Sequence, residues 1–187
     1  MNGLVLHELS LEDRPILYRA ALSEMVVPYG DNDPMHSWKH VLDASEYNMG
    51  TMINSLKLGC DCLGEIHYLD THQVTFDGNP RTIENAICIH EEDYGIQWKH
   101  SNLERQTAEV RRSRRLVISS VFTIGNYDYG FYWYLYLDGT IQMEVKLTGI
   151  VGVSAITQAT YNPSQSPVIG ENLPSPVHQL SPTHIPK

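Results

Sequence analysis

The sequence predicts a mainly β protein, an antiparallel sheet or sandwich that ends in an irregular, Pro-rich C-terminal tail. Three observations predict it. Short runs such as "GLVLHELSL" alternate apolar and polar residues, the period of a half-buried strand. β-branched and aromatic runs recur between Gly, Pro, Asn and Asp turn residues. Near the end of the ordered pattern "LDGT" places an Asp-Gly pair between two such runs, which predicts a two-residue hairpin turn.

In chain order, "GLVLHELSL" is the first strand, and "RPILYRAALSEMVVPYG" gives a second apolar stretch that closes on Pro28 and Gly30. The Asp-, Asn- and Pro-rich "GDNDPMHSW" is a loop. The segment "WKHVLDASEYNMGTMINSLKLGCDC" is the one stretch whose pattern suits a short helix or turns. Strands then return as "GEIHYLD", "HQVTFD", "AICIHEED" and "GIQWKH", with a turn at "DGNP". The last pair is "RRLVISSVFTIGN" and "YGFYWYLYLDGTIQMEVKLTGI". Aromatics occur at both odd and even positions of "FYWYLYL", which predicts a strand covered on both faces. Residues 1–156 therefore read as one β domain and 157–187 as the tail. The tail holds six of the ten prolines and too little apolar periodicity to offset its ordering entropy.

The bulk properties narrow the function classes. At 187 residues, 42% apolar and 19% charged, the chain suits a single globular domain. A formal charge of −9 argues against nucleic acid and anionic membrane as partners. No apolar run reaches the roughly 18 to 20 residues of a membrane span, and the first residues carry no basic region followed by an apolar core, so no signal peptide is read. The basic run "RRSRR" at 111–115 is read as solvated charge leading into a strand rather than a phosphate patch. Three cysteines, Cys60, Cys62 and Cys88, leave at least one thiol unpaired if one internal disulfide forms. They do not supply the four ligands of a structural zinc site.

One short stretch carries chemistry. Asn126-Tyr127-Asp128-Tyr129 opens the aromatic strand, and it resembles the Asn-Tyr-Asp/Glu-Tyr cofactor motif of the copper-containing primary amine oxidases. The resemblance runs from Gly3 to about Ile150 and includes "LYRAALSEMVVPYGD", "NSLKLGCDCLGEIHYLD", "NAICIHEEDYGIQWKH" and "TIGNYDYGFYWYLYLDGTIQMEVKLTGI". It implies that the β domain is the N-terminal part of that family's catalytic β-sandwich. It further implies oxidative deamination of a primary amine by dioxygen, giving aldehyde, ammonia and hydrogen peroxide through a topaquinone Schiff base. By the same resemblance Tyr127 is the tyrosine converted to topaquinone with copper, and Asp43 is the catalytic base. Tyr29 hydrogen-bonds a quinone oxygen, and Asn126 restricts the ring. Cys62 and Cys88 pair as a disulfide, leaving Cys60 free. The full-length family forms homodimers. The chemistry suits these residue types, because a carboxylate can take the proton of a carbon that a conjugated quinone has acidified.

The chain departs from the family at copper. The family binds the metal through a His-x-His pair and a later histidine. Alternation puts both members of such a pair on one strand face. Here "VHQL" offers His178 as a copper ligand, but Leu180 stands where the second is expected, and no third follows. Two readings result: an amine oxidase by descent that is inactive as this chain alone, and a non-catalytic β-sheet interaction module. Purified chain incubated in air with Cu²⁺ is predicted to gain no quinone. Redox-cycling stain of the protein, mapped by mass spectrometry to Tyr127, would refute this.

Overall fold

The computed structural model describes residues 4–22 and 48–150. It is mainly β, with two antiparallel sheets, as the alternation predicts. The tail and the expected 156/157 boundary lie outside the described residues. The chain divides into two compact units.

In the first unit, β1 (Leu6–Leu11) and β2 (Arg14–Ala20) form a hairpin, from Leu6 opposite Ala20 to Leu11 opposite Arg14. The two turn residues between them, Glu12 and Asp13, both take positive φ, 47° and 62°. That is the backbone of a type I′ turn, adopted here without the usual glycine. The same unit holds a 3-10 turn, Met49–Met52, in which the Thr51 amide and hydroxyl both donate to the Asn48 carbonyl at 2.9 Å. This turn is the only helical element among the described residues of the segment read as helix or turns.

The second unit carries most of a five-stranded meander, in the order β3 (Ile66–Val74), β4 (Pro80–Asn102), β5 (Thr107–Ile124), β6 (Tyr127–Tyr136) and β7 (Ile141–Gly149). "GEIHYLD" and "HQVTFD" fuse into one strand, with a register shift between Leu69 and Thr71. "AICIHEED" and "GIQWKH" likewise fuse into a 23-residue strand, with register shifts on either side of Ile96. Gly95, at φ +95°, sits in the first of these, where an extra residue bends the strand without ending it.

The hairpin at Asp138-Gly139 is not the expected two-residue turn. The Gly139 amide donates to the Tyr136 carbonyl at 3.1 Å, and the Tyr136 amide donates to the Thr140 carbonyl at 3.0 Å. Only Gly139 takes positive φ, +85°. A primed two-residue turn needs positive φ at its first central residue, here Asp138, so the loop is instead a three-residue turn closed by a left-handed glycine. The Asp138 carboxylate instead accepts from the Thr140 amide at 2.9 Å. Phe76-Asp77-Gly78 repeats the design, with Gly78 at φ +79° and the Thr75 and Asn79 backbones closing it.

The aromatic strand is two-sided in a more specific way than its composition indicates. Phe131 and Trp133 project to one face, where Phe131 is fully buried and packs edge-to-face on Phe122, centroids 5.5 Å apart. Tyr132, Tyr134 and Tyr136 project to the other face, and the last two hydroxyls are hydrogen-bonded. Tyr134 donates to Glu144 at 2.6 Å and Tyr136 to Gln142 at 2.7 Å. That face is aromatic but polar.

The basic run is also more than solvated charge. It lies inside β5, directly across from the acidic "EED" of β4, with Arg115 opposite Glu92 and Arg114 opposite Asp93. Arg112 pairs with Asp93, Arg114 with Glu91, and Arg115 with Glu92. The Arg112 hydrogen bond, helped by the Gly95 amide, lowers the Asp93 carboxyl to about 2. An unfolded aspartate titrates near 3.9, so this contribution is complete above that pH and is lost as the pH falls through the folded value. Asp93→Asn is therefore expected to melt lower than the parent chain at pH 5, with the gap closing toward pH 2. Thermal melts across that range check it; a gap independent of pH would refute the assignment.

Candidate functional site

The head of β6 is set by its turn. β5 ends at Ile124 and β6 begins at Tyr127, so Gly125-Asn126 is a two-residue connection. Gly125 takes φ +59°, and Asn126 is absent from the positive-φ residues, the pattern of a type II′ turn with glycine first. The Asn126 carbonyl accepts from the Ile150 amide at 2.7 Å, which ties the turn to the end of β7. Tyr127 follows at once as the first residue of β6 and is half-buried. Of the expected site residues, Asn126 and Tyr127 are thus adjacent at one hairpin end. Tyr29, Asp43 and His178 lie outside the described residues.

One relay beside the turn was not foreseen. The Asn54 side-chain amide donates to the Thr123 hydroxyl at 2.8 Å, and that hydroxyl donates to the Asp128 carboxylate at 2.6 Å. Thr123 and Asp128 are the cross-strand pair next to the turn, so their side chains share one face of the sheet. Strand alternation sends Tyr127 to the opposite face. A one-residue slip would reverse this, and the relay holds the register that prevents it. In the sequence, only the aspartate of Asn-Tyr-Asp-Tyr marked the place; its partners sit 5 and 74 positions away, counted from Thr123 and Asn54 to Asp128.

Of the three cysteines, Cys60 is exposed, whereas Cys62 and Cys88 are buried. The loop Lys57–Cys62 curls tightly: the Asp61 amide donates to the Lys57 carbonyl at 2.8 Å, the Gly59 amide donates to the Cys62 carbonyl at 2.8 Å, and Gly59 takes φ +83°. This turns Cys60 outward and Cys62 inward. Cys62 and Cys88 are both buried and pack in one cluster with Leu56, against Ile66, Tyr68 and Val121. All three cysteines are free thiols in this structure. Burial, then the Cys62 thiol beside it, pushes the Cys88 thiol up to about 12.

Next to Cys88 runs a charged network on the tyrosine face. His90 Nδ1 lies 3.4 Å from Cys88 Sγ, and His90 Nε2 lies 3.1 Å from Glu92 Oε1. Glu92 Oε2 accepts from Arg115 Nε at 2.9 Å and Nη2 at 2.8 Å. Burial works against the Glu92 charge, but the Arg115 and His90 hydrogen bonds outweigh it and hold the carboxyl below its ordinary range. His90 is internal to β4 and has a partner at each ring nitrogen. Among the described residues no group of three or more His, Cys, Asp and Glu side chains is arranged to hold a metal ion.

The comparisons with known proteins give the family of this mainly β domain. The profile of the copper amine oxidase family, enzyme domain, matches residues 1–182. A primary amine oxidase from Arthrobacter sp. (strain P1) is 54% identical over 182 residues, 95% of this chain and 28% of the relative. A histamine oxidase from Arthrobacter globiformis is also 54% identical, covering 95% of this chain and 26% of its own length. The crystal structure of a copper-containing benzylamine oxidase from Hansenula polymorpha superposes with a TM-score of 0.81 at 32% identity, over 94% of this chain and 28% of that one. The chain belongs to the copper amine oxidase enzyme-domain family. It spans about a quarter of the length of the relatives it matches.

The turn gives a direct test of how Tyr127 is presented. A Cβ on Gly125 would meet no atom within 4 Å, so Gly125→Ala costs only the strain of a left-handed backbone. That is about 1–2 kcal/mol. Urea unfolding of the two chains measures it; an unchanged stability would mean that the turn is not held at positive φ.

Proposed function

We propose that this chain contributes the cofactor-bearing part of a copper-dependent primary amine oxidase, which converts a primary amine and dioxygen to aldehyde, ammonia and hydrogen peroxide. The observation that carries the reading is Tyr127, half-buried as the first residue of β6 behind a glycine turn, in a chain of this family. Such a position suits a cofactor precursor, since the strand fixes the backbone while the open turn leaves one side for reactants. Topaquinone made from Tyr127 would supply an electrophilic carbonyl and a two-electron sink. The chain's own residues do the rest. Asp43 takes a proton from the substrate carbon. Tyr29 donates a hydrogen bond that orients the ring, and Asn126, fixed by its backbone bond to Ile150, limits where the ring can swing.

Copper fits less well. The described residues supply no metal site, and His178 is followed by Leu180 where a second imidazole is expected, so no step is derived through the metal. We read the chain alone as inactive, at most a β-sheet interaction module. We also read Cys62 and Cys88 as a disulfide pair, which their shared buried cluster supports. A homodimer is the partner state that the family resemblance implies. The exposed Ile96, Trp98 and Val110 on the β4–β5 ribbon support a surface that a second copy covers.

Substituting residues 1–156 for the matching stretch of the Arthrobacter primary amine oxidase tests the reading. The chimera is expected to form a quinone on Tyr127 and release peroxide from a primary amine. Tyr127→Phe should abolish the quinone. Asp43→Asn should keep the quinone and lower turnover by about 10²- to 10⁴-fold, the usual worth of a general base. A folded, copper-loaded chimera without quinone would overturn the proposal.

A further inference from the structure

The tyrosine face of the sheet holds a group of reactive side chains that amine oxidation does not use. Cys88 is fully buried on β4, His90 and Glu92 follow at alternate positions on the same face, and Cys62 reaches the same cluster from its loop. Their contacts form a chain: Cys88 Sγ to His90 Nδ1 at 3.4 Å, then His90 Nε2 to Glu92 Oε1 at 3.1 Å. Glu92 is held as a carboxylate by the two Arg115 hydrogen bonds, so it accepts from Nε2–H. In the neutral imidazole that places the hydrogen on Nε2 and leaves Nδ1 as the acceptor beside the thiol. The other ionisable groups around the pair are Tyr68 from β3, with Tyr132 and Tyr134 from β6; Ser119 lies opposite Cys88 on β5.

We propose that Cys88, His90 and Glu92 form a peroxide-oxidation site, in which His90 takes the Cys88 proton, Glu92 holds the imidazole, and Cys62 resolves the oxidised sulfur. Burial leaves Cys88 protonated at neutral pH, so it has no thiolate of its own to react, and a base in contact is required. The oxidant is hydrogen peroxide, which is small and is also the product of the proposed amine oxidation; only that source rests on the functional reading. The Cys88 proton moves to His90 Nδ1, and the thiolate sulfur attacks one peroxide oxygen. The O–O bond breaks, a sulfenic acid forms, and the leaving hydroxide takes the proton back from the imidazolium as water. The Cys62 sulfur then attacks the sulfenic sulfur and the S–O bond breaks. Hydroxide leaves with the Cys62 proton as a second water, and the disulfide forms. Two thiols lose two electrons and one peroxide gains them. His90 is the base of a redox site rather than a bystander of a structural bond.

The test uses the whole chain, reduced, with Cys60→Ser to remove the exposed thiol. After peroxide is added and the reaction quenched by alkylation, mass spectrometry follows the Cys62–Cys88 cross-linked peptide in time. His90→Gln is expected to slow its appearance by about tenfold or more, at the low end of general-base effects. Glu92→Gln is expected to slow it several-fold, and in Cys62→Ser dimedone should trap a sulfenic acid on Cys88. Near-UV circular dichroism confirms that each variant keeps the parent fold. Lost packing would expose the thiols and speed oxidation, so a slower rate cannot come from unfolding. Folded His90 and Glu92 variants that oxidise at the parent rate would overturn the relay while leaving the pairing intact. A parent chain that forms no disulfide would overturn both, and neither result bears on whether Tyr127 forms a quinone.

Discussion

The Arg115 guanidinium is the interaction on which one whole face of the sheet depends. Only 18% of its side chain is exposed, and it meets Glu92 with two hydrogen bonds and the Tyr136 hydroxyl with a third at 2.9 Å. It also stacks over Tyr134, 3.9 Å from the ring centroid, and over Tyr94 at 4.6 Å. A planar, permanently charged fork can do all of this at once, and a lysine could not. β4, β5 and β6 are therefore joined by side chains as well as by their backbone ladders. Withdrawing one charge would leave the other half-buried and unpaired, the costly way to break such a pair. Because Arg115 keeps Glu92 ionised, and Glu92 fixes the His90 tautomer, the proton relay beside Cys88 originates in this same guanidinium.

The opposite face obeys a different constraint. It is dry, with Phe131 wedged on Phe122 and Trp133 buried beside them, so its register cannot slip without exposing rings. The Gly125-Asn126 turn and the Thr123–Asp128 clamp set where that register begins. Tyr127 inherits its position from both. Packing chooses the face and the turn chooses the residue.

Several strands were legible because their signals are local. Alternation in "GLVLHELSL" and the β-branched run "LVISSVF" need no partner to be read, and both are strands. What failed was punctuation. Gly95 looked like a strand end and proved to be a bend inside a long strand, because glycine serves either purpose and only the pairing strand decides which. Asp138-Gly139 looked like a two-residue turn, yet Asp138 spends its carboxylate on the Thr140 amide and keeps negative φ. A two-residue type I′ backbone fell instead on Glu12-Asp13, which carries no glycine to announce it. "RRSRR" read as solvated charge because its acidic partners lie about 20 positions earlier, and only the hairpin brings them opposite.

The sequence by itself determined the β class and the family, since both are written in contiguous residues: strand periodicity, and long matching runs that include Asn126-Tyr127-Asp128-Tyr129. Tertiary structure alone decided that Cys62 and Cys88 share a buried cluster while Cys60 faces water, that His90 lies between a thiol and a carboxylate, and that two tyrosines of one strand donate to polar partners. Those are facts about distance across strands. A one-dimensional pattern specifies which residues alternate to a face, and only the pairing of strands specifies what they meet there.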